Sequence, residues 1–253
     1  MAQKSQVGFL TGAALFFGVT AALPAAVKTE PVKYRSGAKT VEGFLALPGS
    51  AGKHPALVVI HEWWGLTPWV KGQAQKLAAQ GYVALAVDLY HGKVTTDPSQ
   101  ASVFMRGLNH TRALQDLEAA FQYLASRPDV ESNKIGSIGW CMGGGWSLQL
   151  AAREPKLAAC VVNYGELLNA SEIRKIHAPV LGNFGAKDGG IPPRAVDAFE
   201  AAMRRAGKQV NIKIYPGAGH AFENPNNRGG YRPAAARNAW QRTLTFLNAT
   251  LAG

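Results

Sequence analysis

The sequence predicts an α/β fold, a mostly parallel central sheet with helices on both faces. Short continuous apolar runs such as Ala56–Ile60 read as strands covered on both sides. Stretches with helical periodicity lie between those runs, and strands alternating with helices imply parallel pairing. The length of 253 residues with 47% apolar content suits one large domain. This composition excludes intrinsic disorder, collagen and coiled coil. Two cysteines, Cys141 and Cys160, are too few for a disulfide scaffold or a four-cysteine zinc module.

Residues 1–26 stand apart from this pattern. Lys4 precedes an apolar run from Val7 to Ala22, followed by small residues that place a cleavage site near Thr20 and Ala22 or at Ala26. The run is shorter than the ~20 apolar residues of a membrane-spanning helix and contains Gly8, Gly12 and Gly18. A cleaved export signal is therefore expected, with a bacterial periplasm as the destination. No stable membrane association follows cleavage, and residues 27–253 form a single domain. Loss of Lys4 lowers the net charge from +11 to +10.

The elements of the domain follow in order. Val41–Leu47 alternates as a strand and ends at Pro48-Gly49. Ala56–Ile60 and Tyr82–Val87 are buried strands flanking a helix over 69–80, which Gly81 stops. Asp97-Pro98 opens a second helix, Asn109 interrupts it, and a third runs from Thr111 to Ser126. There Leu114, Leu117, Phe121 and Leu124 share one face. Strand Lys134–Ile138, helix Met142–Arg153 and strands Ala158–Val162 and Val180–Phe184 come next. Helix Pro192–Arg205, closed by Gly207, strand Val210–Tyr215 and helix Tyr231–Asn248 complete the chain. In the last helix Ala236, Trp240, Leu244 and Leu247 are the expected inward face.

The charge, 27 Lys+Arg against 16 Asp+Glu, could signal a nucleic-acid partner. The basic residues do not cluster, and no aromatics interleave them. A solvated basic surface, no nucleic-acid partner and a monomer are the expected reading.

Gly139-Trp140-Cys141-Met142-Gly143 carries the chemistry. An apolar strand runs into G-x-C-x-G and a helix begins at once. This is the nucleophile elbow of α/β-hydrolases with cysteine for serine. The glycines two before and two after the cysteine relieve backbone collisions on a sharp turn. The helix N-terminus favours a thiolate, and the Met142 N–H faces a developing oxyanion. A buried inert cysteine would fit the same five residues, whereas G-x-G-x-x-G and C-x-x-C motifs are absent here. The elbow calls for an acid and a histidine after later strands. Asp188 follows strand Val180–Phe184 and His220 follows strand Val210–Tyr215, in the order nucleophile, acid, histidine. Cys141 would attack a carbonyl, His220 would move the protons, and Asp188 would orient the imidazole. Asp88 precedes the cysteine and reads as structural. Cys160 lies early in its strand, too far from Cys141 to bridge, so both thiols are expected free.

Val59-Ile-His-Glu-Trp-Trp-Gly65, Gly81–Tyr90, Gly139-Trp-Cys-Met-Gly-Gly144, Asp188 and Gly219-His-Ala-Phe222 together resemble the dienelactone hydrolase family over essentially the whole chain after the export signal. The resemblance implies an α/β-hydrolase fold, a small ester, lactone or thioester as substrate, a Cys141–Asp188–His220 triad with an acyl-enzyme intermediate, and no cofactor or metal. It makes Glu62 a gate on thiol ionisation, Trp63 the second oxyanion donor through its backbone, and Tyr164 an active-site tyrosine. The two arginines with which the family holds a substrate carboxylate are not matched here, where Gly92 and Asn224 stand in their places. Arg228 or Arg232 is a candidate replacement cation, and Trp63, Trp64, Trp69 and Trp140 are expected at the mouth of the site. Two other functions fit a reactive cysteine in an exported chain: a thiol redox or peroxide sensor, and a non-catalytic binding module on the same scaffold.

Overall fold

A computed structural model describes Met1 and residues 26–252; the export signal expected over residues 1–26 falls almost wholly outside the described residues. The chain forms β1 (Lys28–Ser36), β2 (Lys39–Leu47), β3 (His54–Ile60), α1 (Pro68–Ala78), β4 (Val83–Val87), α2 (Pro98–Gly107), α3 (His110–Ala125) and β5 (Val130–Trp140). It continues through α4 (Met142–Arg153), β6 (Ala159–Asn163), α5 (Ala170–Ile173), β7 (Val180–Gly185), α6 (Pro193–Arg205), β8 (Val210–Tyr215), α7 (Pro233–Leu247) and a π-helical turn (Asn248–Ala252). The eight strands make one sheet in the order β1-β2-β4-β3-β5-β6-β7-β8. β1 and β2 pair antiparallel, as do β2 and β4; every pairing from β4 onward is parallel.

The central strands are sealed on both sides. β4 and β6 are buried at every position. Alternate residues of β3 feed two separate cores, Val58 and Ile60 on the face covered by α3, α4 and α6, Leu57 and Val59 on the face covered by α1 and α7. The predicted inward face of α3 is buried throughout, at Leu114, Leu117, Phe121 and Leu124. Caps mark several helix starts: Thr67, Asp97 and Asn109 each accept a hydrogen bond from a first-turn amide.

Several elements depart from expectation, the short helix α5 among them. β1 has no apolar run to announce it. It is an edge strand with Lys28, Glu30, Lys33 and Arg35 facing water and Pro31 within it, the composition by which exposed edges avoid pairing with other chains. β5 begins at Val130 rather than Lys134, because Glu131–Asn133 extend the strand where it is solvent-facing. In α7 Leu247 is buried as expected, but Ala236, Trp240 and Leu244 are only partly buried, and Ala239 and Thr243 turn inward with Leu247 instead. Small residues at an i, i+4 spacing let the helix approach the sheet, and Trp240 packs partly buried beside them.

Candidate active site

The elbow takes the strained geometry that its glycines allow. Cys141 adopts φ 56° and ψ −122°, a left-handed backbone that costs a non-glycine residue roughly 1–3 kcal/mol. The turn is crowded from both sides. A Cβ on Gly139 would strike the Gly143 carbonyl, and one on Gly143 would strike the Ile60 carbonyl at the end of β3. Gly144 meets Gly165 in the same way, so the chain leaving β6 can pass directly over the start of α4. That passage carries Tyr164, itself at φ 41°. The Cys141 N–H donates to Asn163 O at 3.0 Å, and the Asn163 side chain donates back to Gly139 O at 3.2 Å. Both sides of the turn are thereby tied to β6.

Asp188 and His220 meet beside it. His220 Nδ1 and Asp188 Oδ2 are 2.7 Å apart. The other carboxylate oxygen, Oδ1, accepts the Gly190 and Ile191 amides at 2.9 and 3.1 Å. Burial opposes the Asp188 charge, yet the hydrogen bond and charge of His220 together with those amides hold its carboxyl below the usual range. Burial likewise disfavours the His220 cation. The hydrogen bond to Asp188, followed by the hydrogen bond and charge of Cys141, outweighs it and raises the imidazole to about 10. With Nδ1 engaged by Asp188, Nε2 is the nitrogen left to face the sulfur.

The loop after β3 supplies a second set of groups. Fully buried His61 is held neutral by desolvation. Its Nε2 accepts the Leu89 N–H at 3.2 Å, so Nδ1 carries the proton and donates to Glu62 O at 2.6 Å. This pins the backbone just before Trp63 to the end of β4. The Trp63 N–H and the Met142 N–H, the latter first in α4, have no protein acceptor among the described residues. Glu62 is only 2% exposed. Burial raises its carboxyl to about 7, against the hydrogen bond from Asn224 and the charge of His220. The Asn224 amide donates to Glu62 Oε2 at 2.6 Å.

The structure revises several sequence expectations here. Trp140 is not at the mouth. It is 1% exposed and lies behind Trp69, with ring centroids 5.4 Å apart and its indole N–H donating to Glu223 Oε2 at 3.2 Å. As the last residue of β5 it points into the α1/α7 core, and Trp146, one turn into α4, lines the cleft instead. Arg232 is no replacement cation, because its guanidinium donates to the Gly217, Gly229 and Tyr231 carbonyls. Arg228 does border the cleft. Asp88 accepts the Tyr90 and Gly92 amides and shapes a turn. Tyr164 borders the cleft with its ring edge-on to His220 at 5.3 Å. Both cysteines are free. Cys160 pairs in register with Ser137, well below the elbow, and burial raises its thiol to about 11.

Glu223 went unread in the sequence. Its Oε1 is a buried oxygen without a partner among the described residues, and burial raises the carboxyl to about 8 against the Trp140 hydrogen bond, with a smaller push from the charge of Glu62. The signal was its place in Gly219-His-Ala-Phe-Glu223, three residues after the histidine. No group of three or more His, Cys, Asp or Glu side chains among the described residues is arranged to hold a metal ion.

The profile of the dienelactone hydrolase family matches residues 41–251. The chain belongs to the dienelactone hydrolase family. A Bradyrhizobium relative named "Probable 2-oxo-3-(5-oxofuran-2-ylidene)propanoate lactonase" is 34% identical over 224 residues, 83% of this chain and 90% of that one. A Saccharolobus solfataricus relative named "Putative carboxymethylenebutenolidase" is 32% identical, over 85% of this chain and 96% of that one. Among solved structures, a dienelactone hydrolase-like promiscuous phosphotriesterase from metagenomic libraries superposes with TM-score 0.82 at 26% identity, over 89% of this chain and 99% of that one. The dienelactone hydrolase family places this chain among the ester and lactone hydrolases.

Proposed function

We propose that the protein cleaves a small ester or lactone through an acyl-cysteine intermediate, with Cys141 as nucleophile. The hydrogen bond of 2.7 Å between His220 and Asp188, beside a cysteine held at positive φ on an elbow, carries this reading. His220 takes the thiol proton and the sulfur adds to the carbonyl carbon. The oxyanion is stabilised by the Met142 and Trp63 amides. The intermediate collapses with loss of the alcohol, to which His220 returns the proton. Water, deprotonated by His220, then adds to the thioester, and cysteine leaves as the acid is released. Asp188 keeps Nδ1 protonated throughout. Glu62, buried next to His220, biases the proton between sulfur and imidazole until substrate arrives, and Tyr164 forms the wall behind the imidazole. The chemistry requires no metal or cofactor.

The test is hydrolysis of activated esters followed by intact-mass analysis. An acyl adduct on Cys141 is expected, and Cys141→Ala and His220→Ala each abolish turnover. Full rate in both variants would overturn the mechanism. Export belongs to the same proposal, supported by the apolar run Val7–Ala22 behind Lys4. Fractionation of cells expressing the full chain, with N-terminal sequencing of the product, tests it; an uncleaved cytoplasmic product would overturn it.

A further inference from the structure

The cleft above Cys141 is much larger than the hydrolysis of a small ring requires. Its volume is about 1550 Å³, against roughly 300–1,000 Å³ for ordinary small-molecule sites. It follows α4: Cys141 caps the helix, and Met142, Gly145, Trp146 and Gln149 border the cleft in turn. These positions share one helical face. Gln149 lies eight positions after Cys141, which at a rise of about 1.5 Å each gives about 12 Å of cleft along the helix.

The walls nearest the sulfur are largely apolar, and polar residues, His110 and Asn169 among them, border the cleft toward Gln149. Trp63 and Trp64, after β3, contact each other edge-on at 4.8 Å between ring centroids. Val94, Met105, Trp146 and Leu167 line the cleft with them. Val94 and Met105 are 49% and 40% exposed, two of the few large apolar side chains left open among the described residues. Apolar surface exposed in a continuous concave site marks where a ligand sits.

The charges argue about the other end of the ligand. The Glu62 carboxyl borders the cleft together with Cys141 and His220. Gly92 supplies no side chain, and the Asn224 amide is engaged by Glu62. Glu166 and Glu172 border the cleft farther along, and Arg228 is its guanidinium, exposed at the rim. A substrate carboxylate beside the reacting bond would face the Glu62 carboxyl and find no arginine next to it among the described residues.

Building on the proposed hydrolase mechanism, we infer that the substrate is an uncharged ester or lactone with an extended apolar arm laid along α4. The experiment has two parts. The first measures kcat/KM of the full chain on vinyl esters from acetate to decanoate and on alkyl acetates of matching length. In one of the two series kcat/KM rises about two- to fourfold per added methylene until the cleft is filled. Trp146→Ala reduces the ratio of long-ester to acetate kcat/KM about tenfold, and Trp146→Phe restores most of it. The second part follows binding of the same esters to Cys141→Ala by tryptophan fluorescence. Affinity rises with arm length, and a matched ester with a carboxylate next to the carbonyl binds at least tenfold more weakly. A flat length dependence in both series, or tighter binding of the carboxylated ester, would overturn the inference. Length-dependent binding without hydrolysis of any ester by the wild-type chain would sink the catalytic reading and leave the arm site standing.

Discussion

The Asn224 side-chain amide donates to Oε2 of Glu62 across 2.6 Å, joining residues 162 positions apart. It places a neutral donor against a carboxyl that burial raises to about 7 even with this hydrogen bond opposing it. An arginine there would hold Glu62 ionised; an amide leaves it near the middle of its titration at neutral pH. Because the Asn224 hydrogen bond lowers the Glu62 pKa, Asn224→Ala raises it. A hydrogen bond to a charged group is worth about 1.5–3 kcal/mol, so the expected rise is about one to two pH units. The carboxyl stretching band of Glu62, assigned by difference from Glu62→Gln and followed by infrared titration, checks this. No movement would mean that Asn224 does not set the charge of Glu62.

Asp188 and His220 are tested together. In Asp188→Asn the imidazole loses the largest of the contributions that raise it to about 10, and the proton on Nδ1 is no longer fixed. The His220 resonance should titrate closer to 6.5, and kcat should fall on the order of 10³-fold or more. Proton NMR of the histidine ring and steady-state ester hydrolysis read the two effects separately.

Stability should fall as the pH rises from mildly acidic to alkaline. Glu62 at about 7, Glu223 at about 8 and His220 at about 10 all bind a proton more tightly in the folded chain than at their ordinary values of 4.5, 4.5 and 6.5. Each therefore contributes stability that is complete below its ordinary value and is lost as the pH climbs through the folded one. Asp188, lowered on folding, acts oppositely, and its contribution disappears as the pH drops through its folded value. Urea midpoints should thus be highest near pH 4–5, roughly the ordinary carboxylate range. Glu62→Gln should remove up to about 3 kcal/mol of the decline between there and pH 8. An unchanged slope in that variant would contradict the buried, proton-binding Glu62.

Two glycine substitutions should differ in sign. Gly143→Ala drives a Cβ into the Ile60 carbonyl, and because backbone meets backbone, it should destabilise by several kcal/mol (about 2–4). Gly72, inside α1 with open space where a Cβ would go, should gain about 0.5–1 kcal/mol as alanine. Denaturant unfolding of both variants measures the difference.

The thiols should also separate. Cys160 is fully buried and raised to about 11, while Cys141 is partly accessible. Iodoacetamide should add one label to the native chain, on Cys141, and a second only after unfolding. Two labels on the native protein would show that the β6 core opens on the labelling timescale.

The alternation of apolar runs with helical periodicity established the layered α/β architecture from the amino-acid order alone, because strands such as β3 and β4 are buried on both faces and leave no room for polar residues. The elbow was equally legible, since only glycine avoids collision at positions 139 and 143, and so were the loops bearing Asp188 and His220, which close strands with plain signatures. Other features were out of reach. β1 is an exposed edge and carries no apolar signal. The inward turn of Trp140 depended on β5 continuing to that residue, and the carboxyl pair of Glu62 and Glu223 depended on bringing together segments from opposite ends of the chain. Periodicity reports which face of its own element a residue occupies. The charge, burial and partners of a side chain depend on what the other elements bring against it, and only the tertiary structure decides that.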